Sequence, residues 1–275
     1  MDEKIKLDQS VKFLKPKIKE VPQVAIILGS GLGGLADELD NSEVIDCKDI
    51  PNYPVSTVSD HAGIWVFGRA HNVPVLALKG RVHTYEGYSA RTVTYSIRLM
   101  AQLGIKRLVV TNASGGVNPD FQPGDLMLIT DQINWMFDNP LIGDNSISAD
   151  QRFIDMSEAY DKIYLEKARA VSSELNIELK SGILFTSKGP TYETAAEVRM
   201  AQVAGADSVT MSTTPEVIVA NQMKMRVMGI SCITNLATGI SKEKLNHGEV
   251  QETANRIKET FLRLMKEILT RIPQW

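Results

Sequence analysis

A chain of 275 residues, 43% hydrophobic and 23% charged with a formal net charge of −3, is long enough to bury a large core and has the composition of an ordinary globular enzyme. Its lysines and arginines are dispersed, which argues against a nucleic-acid surface, and Cys47 and Cys232 are too few for a disulfide framework or a cysteine-based zinc site. The charged start Met1-Asp2-Glu3-Lys4-Ile5-Lys6 lacks the apolar core of a signal peptide, and no apolar run approaches the roughly 18 residues of a membrane span. The expectation is a soluble, cytoplasmic protein in a reducing compartment.

Residues 1–20 carry Ile5, Leu7, Val11, Leu14 and Ile18 near helical spacing, interrupted at Pro16, and read as a short amphipathic helix or two. Val24-Ala25-Ile26-Ile27-Leu28 then reads as a strand buried on both faces. It runs into Gly29-Ser30-Gly31-Leu32-Gly33-Gly34 and an expected helix from about Leu35. A glycine loop between strand tip and helix start exposes backbone N–H groups, which attract an anion, phosphate above all; Ser30 adds a hydroxyl. Gly29, Gly31 and Gly34 also fit a dinucleotide fingerprint, which needs an acidic residue about 20 positions on. Asp46 and Asp49 lie in range but lead into Ile50-Pro51-Asn52-Tyr53-Pro54, which does not continue a regular βαβ unit.

Gly63–Gly68 and Val73–Leu78 read as strands joined around His71-Asn72. After the second come Arg81, His83 and Tyr85, spaced by two and so facing one way if the segment is extended. A guanidinium beside an imidazole makes an oxyanion clamp; the bland alternative is a solvated edge strand. Thr92 to Leu103 reads as a helix, and Arg107–Thr111 as a buried strand delivering Asn112-Ala113-Ser114-Gly115-Gly116 to the carboxyl edge of a sheet. Gly124–Trp135 gives one more strand with a polar continuation. Residues 138–155 show no period and read as a long loop of the functional kind.

Residues 157–175 are helical in pattern, Ser181–Thr186 is a strand, and a helix after Thr194 ends before Gly205. Asp207–Glu216 reads as a strand turning into a helix over Val217–Met223, and Val227–Asn235 as the last strand. The chain closes on one amphipathic helix with Val250, Ala254, Ile257, Phe261, Leu264, Ile268 and Ile272 on its core face. No repeat or linker divides the chain. The reading is a single α/β domain over residues 1–275, a mixed central β-sheet flanked by helices.

Seven stretches in one order resemble the trimeric purine nucleoside phosphorylases: Gly29–Gly33, Gly80–Tyr88, Val109–Gly116, Gly189–Thr194, Met211–Ala220, Ile233–Asn235 and Asn246–Val250. The resemblance covers nearly the whole chain from about residue 20 and displaces the dinucleotide reading. It implies reversible phosphorolysis, in which a purine (deoxy)ribonucleoside and phosphate give free purine and (deoxy)ribose 1-phosphate. By that resemblance Ser30, Arg81, His83, the backbone N–H of Ala113 and Ser212 bind phosphate. Glu193 and Asn235 hold the base with Tyr192 packed on it, and Tyr85, Met211 and His247 line the ribose. Asn235, Glu193 and His83 are the implied catalytic groups. No metal or organic cofactor is expected; inorganic phosphate is a co-substrate, and no nucleic acid or membrane partner is implied.

Related methylthioadenosine phosphorylases tend to carry Asp in place of Asn235 and a small apolar residue in place of His247. The pair present here implies 6-oxopurine nucleosides with a free 5′-hydroxyl, such as inosine and guanosine. Thr210 stands where the family usually has glycine, Tyr192 where phenylalanine is common, and Leu236 where mammalian members have lysine. The resemblance also implies a homotrimer in which an aromatic residue of one subunit closes its neighbour's site. Phe153 is the candidate. A non-catalytic nucleoside or phosphate sensor on the same fold is the alternative of a different class.

Overall fold

Five consecutive apolar residues with no polar alternation need a sheet covered on both faces, and Val24–Leu28 forms such a strand, β1, every residue of it buried. The structure is a computed structural model and describes residues 2–58, 63–144, 152–241 and 247–275, His247 by its backbone alone. β1 is parallel to both of its neighbours, β4 (Val73–Lys79) and β5 (Arg107–Gly116). Beyond β4, β3 (Ile64–Ala70) and β2 (Asp40–Asp46) continue antiparallel to the sheet edge.

Along its other edge β5 runs parallel to β9 (Arg226–Leu236) over its whole length, and beyond the end of β1 its first edge is taken up by β8 (Ser208–Thr210), antiparallel at Gly115 and Gly116. From β8 the order continues through β7 (Leu179–Thr186) and β6 (Leu126–Asn134) back to β9. Five strands therefore close on themselves while β1 to β4 spread as an open wing. Closure pairs the strands that would otherwise be edges and gathers the ends of β5, β8 and β9 at one place.

The helices lie against this sheet in two groups. Near one another are α1 (Glu3–Leu14), α2 (Ala90–Val93), α3 (Tyr95–Gln102) and α6 (Thr214–Gln222). The other group is α4 (Lys162–Glu174) and α7 (His247–Arg271), with α7 packed on β9, β3 and β4. The apolar stripe of α7 is core as its spacing implies: Ala254, Phe261, Leu264 and Ile268 are at most 1% exposed, as is Ile272 just beyond its end. Each of these Phe, Leu and Ile side chains contributes about 1.5–3 kcal/mol of transfer free energy. α5 (Ala195–Val203) opens on a capping box between Thr194 and Glu197.

Several local expectations are corrected. The helix expected from Leu35 is a 3-10 turn, Gly33–Glu38, followed at once by β2. β2 is an edge strand with mostly exposed residues, so it lacks the apolar alternation that marks a half-buried strand. Since β2 pairs antiparallel with β3, no βαβ unit follows the glycine loop and the dinucleotide reading has no structural basis. The helix expected over Thr92–Leu103 begins at Ala90 and breaks at Thr94, whose hydroxyl donates back to the carbonyls of Ala90 and Arg91. The helix expected from 157 starts at Lys162, capped by the Asp161 carboxylate. β5 runs on to Gly116 instead of stopping at Thr111, and β9 to Leu236. Of the aperiodic stretch 138–155, residues 145–151 lie outside the described residues.

The glycine loop is squeezed between β5 and α7. A Cβ on Gly29 would stand 2.8 Å from the Asn112 Cα, and one on Gly31, at φ +74°, 2.4 Å from the Ala254 Cβ. Close approach at the first and a left-handed backbone at the second account for glycine at both.

Candidate active site

The loops that leave β1, β4, β7, β8 and β9, together with the last residues of β5 and the first turn of α7, face one pocket. Ser30, Arg81, His83, Tyr85, Ala113, Tyr192, Glu193, Met211, Ser212 and Asn235 all line it. They are far apart in sequence, and the neighbouring strands β4, β1, β5, β8 and β9, with the loop after β7, bring them together. Open α/β sheets place ligands at the carboxyl ends of their strands for the same reason.

Arg81 is no solvated edge residue: it is 6% exposed. Its Nη2 donates to the Thr111 carbonyl at 2.7 Å and its Nη1 to the Ser212 hydroxyl at 3.0 Å, while its Nε faces Glu216 Oε1 at 3.0 Å. The expectation that Arg81, His83 and Tyr85 share one extended face holds only as far as His83. Thr84–Glu86 is a 3-10 turn, yet the Tyr85 ring still reaches the pocket by stacking on the His83 ring, centroids 4.6 Å apart. Burial pushes the Tyr85 hydroxyl up to about 12.

That turn is held by Glu86. Its carboxylate accepts from the His83 backbone N–H, the Ser56 hydroxyl, and the backbone N–H and hydroxyl of Thr57, and it lies 3.3 Å from His83 Nδ1. Burial opposes the charge on Glu86, but these donors outweigh it and hold the carboxyl at about 2. Burial likewise lowers the His83 pKa below 6.5, and the nearby Arg81 cation acts in the same direction; Glu86 works against both. Burial thus favours the neutral imidazole in the ligand-free protein.

Ser212 is presented by a strained turn. Thr213 sits at φ 71°, ψ −56°, and the N–H of Thr214 donates to the Ser212 carbonyl at 2.8 Å, a γ-turn of the rare hand. Such a conformation costs about 1–3 kcal/mol for a residue with a side chain and persists only where its surroundings impose it. Here the Asn112 amide donates to the Thr213 hydroxyl at 2.9 Å, tying the turn to β5. Thr210 lines the pocket wall with its hydroxyl on the Ala113 carbonyl at 3.3 Å, and 3.5 Å from Ser212 Oγ.

At the opposite end, Glu193 accepts from the Ser187 hydroxyl at 2.7 Å. Asn235 owes its direction to a β-bulge: Ser114 pairs with Ile233 and Gly115 with Asn235, so Thr234 is an extra residue on β9. The Thr234 hydroxyl donates to Asn235 Oδ1 at 2.9 Å, and Asn235 Nδ2 donates to the Leu236 carbonyl at 3.2 Å. Tyr192 is 42% exposed at the pocket mouth.

The side chain of His247 lies outside the described residues. One described candidate is not brought into this pocket. Phe153 is 89% exposed and borders a separate depression with Asn139, Ile142 and Ile218. Conversely, Val209, Thr234, Ala237 and Val250 line the pocket without having been singled out, as apolar or hydroxyl residues carry no chemical signal in sequence. Glu86 and Glu216 stand inside stretches that the sequence marks, but nothing there tells which arginine or histidine each will face.

A family model described as the phosphorylase superfamily matches residues 23–270. Purine nucleoside phosphorylase 1 of Geobacillus stearothermophilus is 50% identical over 263 residues, covering 96% of each chain. Purine nucleoside phosphorylase 1 of Bacillus subtilis is 50% identical over 266 residues, covering 97% of this chain and 98% of its own. Among solved structures, isoform 2 of purine nucleoside phosphorylase from Schistosoma mansoni, in complex with cytosine and ribose-1-phosphate, matches with a TM-score of 0.89 at 34% identity, covering 97% of this chain and 96% of that one. The chain belongs to the phosphorylase superfamily and, within it, to the purine nucleoside phosphorylases.

Proposed function

We propose that this purine nucleoside phosphorylase acts on 6-oxopurine (deoxy)ribonucleosides such as inosine and guanosine, with phosphate as co-substrate and no cofactor. The observation that carries the reading is the pairing, in one pocket, of an anion clamp with an amide–carboxylate pair. Ser30, Arg81, His83 and Ser212 form the first; Asn235 and Glu193 form the second.

In the proposed reaction a phosphate oxygen bonds to the anomeric carbon as the glycosidic C–N bond breaks, and the bonding electrons leave with the purine. Positive charge on the sugar faces the phosphate dianion. Negative charge on the purine needs a donor at N7 and a partner near O6, and the Asn235 amide carries both kinds of group. Glu193 accepts from N1–H and from an exocyclic amine. Met211 packs under the sugar beside Tyr85, and His247 is assigned to the 5′-hydroxyl by resemblance alone. The Ala113 N–H completes the phosphate site.

A homotrimer is part of the proposal, with Phe153 reaching the neighbour's pocket. Trp135, Phe137, Ile142 and Phe153 are 40%, 81%, 71% and 89% exposed, which supports an apolar surface covered by another copy. Cys47 and Cys232 are free and buried, and no described helix is long and apolar enough to cross a membrane; a cytoplasmic location fits both.

Purified protein is expected to release hypoxanthine from inosine only when phosphate is present, and to leave methylthioadenosine untouched. Asn235→Asp is expected to lower kcat/KM for inosine about 100-fold or more, the cost of one transition-state donor, and to raise activity on adenosine. Release without phosphate contradicts the reading, as does phosphate-dependent binding with no turnover. Light scattering should give about three times the mass of the 30.4 kDa chain, and a monomer contradicts the trimer.

The His83 pKa, lowered in the free protein, sets a pH prediction. A dianion beside the imidazole favours its charged form, so binding raises that pKa. Between the free and bound values the imidazole gains protons on binding, against those that free phosphate gives up near pH 7 as the dianion is selected. Phosphate binding is therefore expected to take up more protons, or release fewer, in wild type than in His83→Asn, read as a heat that depends on the buffer's ionisation enthalpy. Equal proton uptake by both proteins contradicts this role for His83.

A further inference from the structure

Arg81 is the cation of the proposed phosphate site, but its own segment does little to position it. Gly80 before it has φ +82°, and residues 80–83 belong to no strand. The guanidinium is fixed from outside, by the Thr111 carbonyl on β5, the Ser212 hydroxyl and the Glu216 carboxylate. Only the last of these carries charge.

Glu216 sits in the first turn of α6, and Thr214 to Ala220 are all buried. Its side chain is 4% exposed and that of Arg81 3%. It does not line the substrate pocket; it stands behind the arginine. Burial pushes the Glu216 carboxyl up, and the Arg81 charge opposes that. Stability alone is a weak reason for such a pair, because an apolar pair of similar shape often stabilises a core as well or better. Orientation of the arginine is a stronger reason. The five-residue run Ser212–Glu216 thereby supplies both a hydroxyl to the clamp and the carboxylate behind it, joined by the strained turn at Thr213.

We propose that Glu216 is a positioning residue for phosphate: acting through Arg81, it fixes the guanidinium plane and offsets part of its charge without touching substrate. The proposal rests on the phosphorolysis reading. Fixing the plane means that no reorganisation is needed when the anion arrives. Offsetting the charge keeps the site from holding phosphate, or the sugar phosphate formed from it, too tightly to release.

Two substitutions separate these effects by sign. Glu216→Asp keeps the charge but withdraws it by one methylene, so the arginine loses its brace. The phosphate Kd by calorimetry, and the phosphate KM, are expected to rise at least tenfold with the inosine KM within twofold. Glu216→Gln keeps the shape but removes the negative charge behind the anion, so the phosphate Kd is expected to fall at least threefold. An unchanged or weaker phosphate affinity in Glu216→Gln overturns the proposal. An unchanged affinity in Glu216→Asp does so too, as does a parallel rise in both KM values. Where Glu216→Asp does not fold, Glu216→Gln decides alone. Wild-type protein that neither binds phosphate nor cleaves inosine overturns the functional reading, and the proposal with it. Wild-type turnover with unresponsive variants overturns the proposal only.

Discussion

Everything at the proposed anion end of the pocket depends on one buried cation. A cation whose side chain is 3% exposed has given up most of its hydration, and the protein must replace what water supplied. It does so with a carbonyl from β5, a hydroxyl from the turn after β8 and a carboxylate from α6, elements brought together where β8 pairs with the end of β5 and runs on into α6. An arginine held in this way is part of the fold and part of the site at once. The strain at Thr213 and the bulge at Thr234 belong to the same junction: one aims Ser212 and the other Asn235, from strands on either side of β5.

Much of this was legible in the sequence, for identifiable reasons. Buried parallel strands such as Val24–Leu28 and the core of β5 are continuous apolar runs, and the glycine and polar residues after them mark where the chain meets the pocket, though β5 itself runs on through them to Gly116. The C-terminal helix shows a clear period. The resemblance of spaced motifs then named ten residues that line one pocket. β2 was not legible, because an exposed edge strand such as Asp40–Asp46 has no apolar pattern to detect. Nor was the break at Thr94, which depends on where one hydroxyl finds its acceptors.

The carboxylates behind the clamp were hidden for a different reason. Glu86 lies three residues from the histidine it serves, but Glu216 lies 135 positions from Arg81 and reaches it only through the sheet topology. Sequence gives the residue type and withholds the partner. The residues that depart from the family pattern are also resolved only in three dimensions. Thr210 turns its hydroxyl onto the Ala113 carbonyl, so its polarity is satisfied by the wall and its bulk narrows it. Tyr192 stands half-exposed at the mouth, where a hydroxyl is tolerated.

The central claim is that the phosphate clamp is assembled before its ligand arrives. Crystal structures of the protein without and with phosphate test it most directly. The account predicts that the Arg81 guanidinium keeps its contacts with Thr111, Ser212 and Glu216 in both, and that phosphate lies among Ser30, Arg81, His83 and Ser212. An arginine that leaves Glu216 and swings to meet the anion, or a phosphate bound elsewhere, would contradict it.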